Sequence, residues 1–253
     1  MPAHDFRSPR LYVDHPLGPG MKVTLDAAQS HYLADVLRRR PGDQLMVFNG
    51  RDGEWRAVFE PAGKRGAVLA LEEQTRVQDR AGDLAYLFAP LKRARLDYTV
   101  QKAVEMGAAR LTPVITRYTQ VERVNTERMR ANAIEAAEQC SILTLPAIDE
   151  PLALDRALAA LEPARTLVFC DEDAPIADPL AALAPLRGRE SVPLAVLIGP
   201  EGGFAPEERA LLLGRSNTIR LALGPRILRA DTAAVAALTL VQAALGDWAE
   251  RSA

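Results

Sequence analysis

From Leu84 onward, short apolar runs alternate with helix-patterned segments, and that alternation limits the fold more than any other feature of the chain. The apolar runs are "LAYLFAP", "ARLTPVI", "RTLVFC", "LAVLIG" and "TIRLAL"; "LDYTVQKAVEMG" and "TERMRANAIEAAEQC" are the helical segments between the earlier ones. In the first of these helices Leu96, Val100, Ala103 and Val104 fall on one face, and Gly107 is placed to stop it. Strands alternating with helices predict a mostly parallel α/β sheet.

Residues 1–74 follow a different rhythm. The runs "RLYV", "MKVTL", "QLMVF", "EWRAVF" and "AVLALEE" are separated by the turn signals "NGRDG" and "PAGKRG". One helical segment, "AQSHYLADVLRRR", interrupts them, with Tyr32, Leu33, Val36 and Leu37 at helical spacing. This pattern predicts a small β-barrel domain. Residues 75–82, within the polar stretch "EQTRVQDRAGD", read as a linker, and 83–253 as the second domain.

Composition narrows the function classes. The chain has 253 residues, is 48% hydrophobic and 25% charged, and carries a formal net charge of −2, so any nucleic-acid surface must be a local patch. The first ten residues, "MPAHDFRSPR", hold no apolar core for a signal peptide, and no apolar run is long enough to span a bilayer. A cytoplasmic protein without a membrane partner is expected. Cys140 and Cys170 have no metal-type spacing, so buried thiols and no metal are expected. His4, His15 and His31 all precede the second domain, which excludes a catalytic imidazole from it.

The candidate site is "LIGPEGGFAPEE", beginning at Leu197, together with "LALGPRILRADT" after the next strand. In open α/β sheets ligands bind beyond the carboxyl ends of strands. Two glycine loops in succession, after strands expected to be neighbours, should lie close together. A phosphate-binding loop would need a lysine and a Ser or Thr beside its glycines, and neither is present. Glu201 would repel a pyrophosphate. A neutral or cationic ligand suits the loop better, and S-adenosyl-L-methionine (AdoMet), with its sulfonium, has that character. A tight turn with Phe204 plugging the core is the plainer reading of the same residues.

"LIGPEGGF" followed by "LGPRILRADTAAVAAL" resembles the paired C-terminal motifs of the SPOUT-class small-subunit ribosomal RNA uridine N3-methyltransferases. "LKRARLDYTVQKAVEMGAARLTPV", "AAEQC" and "HYLADVLRRRPGD" resemble the earlier blocks of that family, in order along nearly the whole chain. The resemblance implies a PUA-like N-terminal domain and a trefoil-knotted α/β domain. It also implies a homodimer acting with AdoMet on N3 of a specific uridine of small-subunit ribosomal RNA, in the assembled subunit. AdoMet contacts are implied at Leu197, Gly199, Pro200, Glu201, Gly202 and Gly203, and at Leu221, Leu223, Gly224, Ile227 and Leu228. Two departures stand out: Asp231 where relatives carry Glu, and Ile142 where they carry an arginine.

Arg229 and Asp231 are the catalytic candidates. Uridine N3 must lose its proton, and Arg229 would stabilise the developing anion; a structural salt bridge is its plainer role. Asp231 is the nearest carboxylate for proton acceptance, but it also sits where a helix N-cap belongs. RNA contacts are expected at Lys92, Arg93 and Arg95 in a basic loop, at Arg38 and Arg39 with Arg40 after the first helix, and at Arg10, Lys102 and Gln139. Tyr118 is a candidate for stacking on a base. Methylation of an RNA ribose is the enzymatic alternative. A non-catalytic RNA-binding assembly factor is the other.

Overall fold

The computed structural model describes residues 8–63, 66–80, 82–121, 123–188 and 192–248. His4 and the Lys64–Arg65 tip of the predicted "PAGKRG" turn lie outside them. The chain forms two compact units, one of residues 1–80 with 137–145, the other of 81–136 with 146–253.

The first unit is built on a five-stranded sheet. Its strands are β1 (Arg10–Tyr12), β2 (Lys22–Thr24), β3 (Gln44–Phe48), β4 (Glu54–Ala62) and β5 (Gly66–Arg76), in the order β1-β3-β4-β5-β2. β1 runs parallel to β3, and every other pairing is antiparallel. Burial alternates along β4 and β5, as one wet and one dry face require. Leu11, Val23, Val47, Phe59 and Leu69, one from each strand, share a single core with Leu33. The helical segment splits into α1 (Ala27–His31) and a π-turn over Tyr32–Val36, a wider winding than the predicted single helix. Asp26 caps α1 by accepting from the Gln29 N–H at 2.7 Å, and the Gln29 amide donates to the Tyr12 carbonyl at 2.9 Å.

Two boundaries differ from the sequence expectation. Thr75 and Arg76, read as linker, finish β5, where the Thr75 hydroxyl donates to Glu54 Oε1 at 2.8 Å. Residues 137–145, at and beyond the end of α3 (Thr126–Cys140), cluster with the first unit. The Tyr12 N–H donates to Glu138 there, and Arg76 donates to the Ser141 carbonyl. Cys140 is exposed and Cys170 half-buried, so the expectation of two buried thiols fails at Cys140, which the end of α3 turns outward.

The second unit contains β6 (Leu84–Phe88), α2 (Arg93–Glu105), β7 (Arg110–Ile115), β8 (Ala147–Ile148), β9 (Leu152–Ala153), α4 (Leu154–Ala160) and β10 (Thr166–Cys170). α5 (Pro179–Leu183), β11 (Leu194–Ile198), α6 (Pro206–Gly214), β12 (Thr218–Leu221) and α7 (Ala230–Leu245) complete it. The sheet order is β12-β10-β11-β6-β7-β8, with β9 also on β7, and all of its described pairings are parallel. β6 and β11 are buried at every position, because helices cover both faces of such a sheet. Each fully buried leucine or phenylalanine there contributes about 1.5–3 kcal/mol of transfer free energy. The predicted stop at Gly107 is present, with φ +78° after the last turn of α2.

The expectation that the two glycine loops follow neighbouring strands is corrected: β10 lies between β11 and β12. Adjacency in sequence is not adjacency in the sheet, because the chain leaves β10 inward to β11 and then crosses to the outer edge. The basic loop is corrected too. Lys92 is the N-cap residue of α2, and Arg93 and Arg95 stand on its first turn. Among the described residues no helix is long and apolar enough to cross a membrane.

Candidate active site at the carboxyl edge of the parallel sheet

Parallel strands present all their carboxyl ends along one edge. Going along it, that edge carries the second glycine loop after β12, Asp171 after β10, and the first glycine loop after β11. Pro90–Lys92 after β6 and residues 116–121 after β7 come next.

The first loop is a tight turn in which the Gly203 N–H donates to the Pro200 carbonyl at 2.9 Å. Gly203 has φ +71°, a left-handed conformation that a side chain disfavours, and a Cβ there would meet nothing within 4 Å. Gly224 in the second loop repeats both properties, at φ +89°. Gly199 is a glycine for another reason: a Cβ would lie 2.5 Å from the Phe204 ring. That ring packs edge-on against Phe169, with centroids 5.3 Å apart. Phe204 does plug the core, and the turn above it stays open. Leu197 and Leu221 are fully buried, Leu223 and Leu228 half-buried, and Ile227 is 94% exposed.

Charged side chains brace this edge. Arg95 donates to Glu201 Oε1 at 2.9 Å, and its Nε stands 3.8 Å from Asp231 Oδ2, so one guanidinium bridges the first loop and the start of α7. Glu208 accepts from the Ala205 N–H at 2.9 Å and from the Arg117 N–H at 2.8 Å, fixing the loop after β7 against the glycine turn. Asp171, 5% exposed, accepts two bonds from Arg209 (2.7 and 3.0 Å) and one from Arg220 Nε (2.6 Å). Burial raises the Asp171 pKa, but the hydrogen bonds of Arg209 and Arg220 outweigh it and hold the carboxyl below its ordinary value. The neighbouring Cys170 thiol is pushed up to about 12, by burial first and then by the Asp171 charge, so it stays protonated. Burial above all, and then the nearby Cys170 and Asp231, push the Tyr86 phenol well above its usual range.

Arg229 itself is exposed, and its side chain has no hydrogen bond or ion pair among the described residues. The salt-bridge reading of Arg229 therefore finds no partner. Arg229 is also the N-cap residue of α7. Asp231, expected to cap, sits within the first turn and accepts from the Thr232 N–H at 2.8 Å.

Comparison with known proteins follows this geometry. A family model described as an RNA methyltransferase domain matches residues 78–242, and one described as an RNA methyltransferase PUA domain matches residues 25–72. A protein of Rickettsia conorii, ribosomal RNA small subunit methyltransferase E, is 31% identical over 234 residues, spanning 92% of this chain and 94% of its own. The chain belongs to the ribosomal RNA small subunit methyltransferase E family. The Neisseria gonorrhoeae member of that family, solved with S-adenosyl methionine bound, superimposes with a TM-score of 0.82 at 26% identity. It spans 93% of this chain and 97% of its own. A Legionella pneumophila protein solved with the bound cofactor SAM gives a TM-score of 0.78 at 30% identity, over 94% and 98% of the two chains.

Within this methyltransferase E family member the expected RNA contacts divide. Arg38 and Arg40 are exposed, Arg39 is half-buried, and Lys92, Arg93, Gln139 and Tyr118 are exposed. Arg10 is not on the surface: it is 7% exposed and ion-paired to Glu54 at 2.9 Å inside the first unit. An arginine in β1 beside a buried glutamate is held by the fold. Lys102 binds both Glu105 oxygens, at 2.7 and 2.8 Å, and stands over the Tyr98 ring. Sequence reasoning missed Asp171, Arg209 and Arg220. The one available signal was a charged residue at the carboxyl end of the apolar strand "RTLVFC".

Proposed function

We propose that the chain transfers the methyl group of AdoMet to N3 of one uridine of small-subunit ribosomal RNA, within the assembled subunit, as a cytoplasmic homodimer. The observation that carries this reading is the pair of bare backbone turns at the ends of β11 and β12. At Gly203 and Gly224 the missing Cβ faces open space, and a ligand can lie against the main chain. Relatives of the same family and fold have been solved with this cofactor, which supports the same assignment. The exposed Ile227 with Leu223 and Leu228 offers apolar surface to an adenine, and Glu201 complements a cationic sulfonium. We also infer a trefoil knot, which the insertion of β11 between β10 and β6 supports.

When bound, AdoMet supplies a methyl group activated by its sulfonium. The rest belongs to the chain. Arg229, whose side chain has no partner among the described residues, stabilises the negative charge that grows on the uracil carbonyl oxygens as N3 loses its proton. Asp231, engaged by Thr232 and near Arg95, holds the start of α7 in place instead of accepting that proton. Arg38, Arg40 and Arg93 provide exposed charge for RNA phosphates.

Small subunits lacking the modification, incubated with methyl-labelled AdoMet and digested to nucleosides, should yield N3-methyluridine by mass spectrometry. Label on a ribose hydroxyl, or no label, would refute the reading. Calorimetry on Gly203→Val, with circular dichroism to verify folding, should show AdoMet affinity at least about tenfold weaker. Unchanged affinity in a folded variant places the cofactor elsewhere.

A further inference from the structure

Beside the first glycine loop, on the side away from β12, lies a cavity of about 270 Å³. Pro90, Leu91 and Val121 form its apolar walls, and Lys92, Arg95, Gln120 and Glu201 supply its polar groups. Its size falls just below the range of pockets for drug-sized ligands, which suits a single base. The strand order gives it a place in the reaction. The two glycine loops close the β12-β10-β11 stretch of the sheet edge, whereas the cavity opens on the β11-β6-β7 stretch. Glu201 stands on the boundary, in the first glycine loop and in the cavity wall at once.

We propose that this cavity receives the target uracil, turned out of the RNA, with Lys92 and Gln120 reading its carbonyl oxygens. The inference rests on the uridine methyltransferase reading and extends it to the second substrate. An enzyme acting on a ring atom needs the base out of its stack and seated between apolar walls, with polar groups at its edge. Pro90 and Leu91, both buried, make a fixed wall, and Val121 faces from the loop after β7. That loop does not float: Glu208 holds the Arg117 N–H, and Thr119 Oγ1 accepts from the Thr116 N–H at 2.9 Å. Arg95 is committed to Glu201, so it shapes the wall and leaves Lys92 and Gln120 as the polar groups whose side chains have no partner among the described residues. An ammonium donates only. It therefore suits O4 of uracil and meets the amino group of cytosine donor to donor. The Gln120 amide donates to the second carbonyl oxygen.

Two experiments test the assignment. Small subunits reconstituted with RNA carrying 5-bromouridine at the target position, irradiated with the protein, should crosslink within residues 90–95 or 119–121. The variants Lys92→Met and Gln120→Leu, both at exposed positions, should keep AdoMet affinity within about twofold and lose about tenfold or more in single-turnover rate. Crosslinks outside those segments, wild-type rates in both variants, or AdoMet affinity falling in step with rate would each overturn the pocket. If the wild-type protein makes N3-methyluridine while these tests fail, the pocket alone falls. If it makes none, the uridine reading falls with it.

Discussion

Arg229 is an exposed cation between the second glycine loop and α7 with no side-chain partner among the described residues, and that isolation makes its contribution measurable. A guanidinium keeps its charge at any working pH and presents a planar fork to paired oxygens. Removing one such donor from an anion-stabilising site costs about 10²–10³ in rate. Arg229→Ala should therefore lose most of its single-turnover rate on small subunits while retaining AdoMet affinity, because the glycine turns offer backbone to the cofactor. Raising the pH should restore part of the rate, since uridine then ionises without assistance. Arg229→Lys should recover less than its charge alone implies. Wild-type rates in Arg229→Ala, or affinity lost as much as rate, would remove the assigned role. Asp231 illustrates what the sequence left ambiguous at this scale: a carboxylate before a helix fits both a cap and a base. The backbone settled only the first question: α7 starts at Ala230 with Arg229 as its cap, two residues earlier than a cap at Asp231 would set.

At the scale of elements, the Asp171 cluster ties β10 to α6 through Arg209 and to β12 through Arg220, bracing the edge strand of the sheet against its neighbour. Its carboxyl is nearly sealed while both arginines keep some solvent access, so Asp171→Asn should cost about 2–4 kcal/mol of stability at neutral pH. Because the folded-state pKa is depressed, the stabilisation is complete above the ordinary value of 3.8 and disappears as pH falls through the lower, folded one. Denaturant titrations of both proteins should show the gap closing below about pH 4; a gap independent of pH would refute the electrostatic account. The same cluster marks the limit of sequence reading. β6, β11 and the stop at Gly107 were legible because their signals are local: an unbroken apolar run, or a glycine after an amphipathic face. Asp171 finds its partners 38 and 49 positions away, and Arg10 meets Glu54 across 44. No spacing rule reaches that far. The order of strands was hidden for the same reason, and the glycine loops read as neighbours are separated by β10.

For the whole molecule, the small-residue face of α7 is spent inside the protomer and offers no dimer contact. Ala233, Ala234, Ala237, Leu238 and Val241 are already buried within the protomer, against α2, α5 and β11. Support for the proposed homodimer comes instead from apolar side chains the protomer leaves uncovered, Leu211 and Leu213 on α6. Light scattering at micromolar concentration should report twice the 27.5 kDa chain mass, and a monomer that still methylates RNA would exclude the dimer as a requirement. The position of β11 has a further consequence, in the order of synthesis. β6 gains its first neighbour as soon as residues 110–115 leave the ribosome, but its other edge waits for Leu194–Ile198. While residues 89–198 are being added, the nascent chain therefore carries an open, apolar strand edge, the kind that invites pairing with the wrong chain. Completing the sheet takes one late insertion between β6 and β10, and so remote a pairing sets a slow pace for folding.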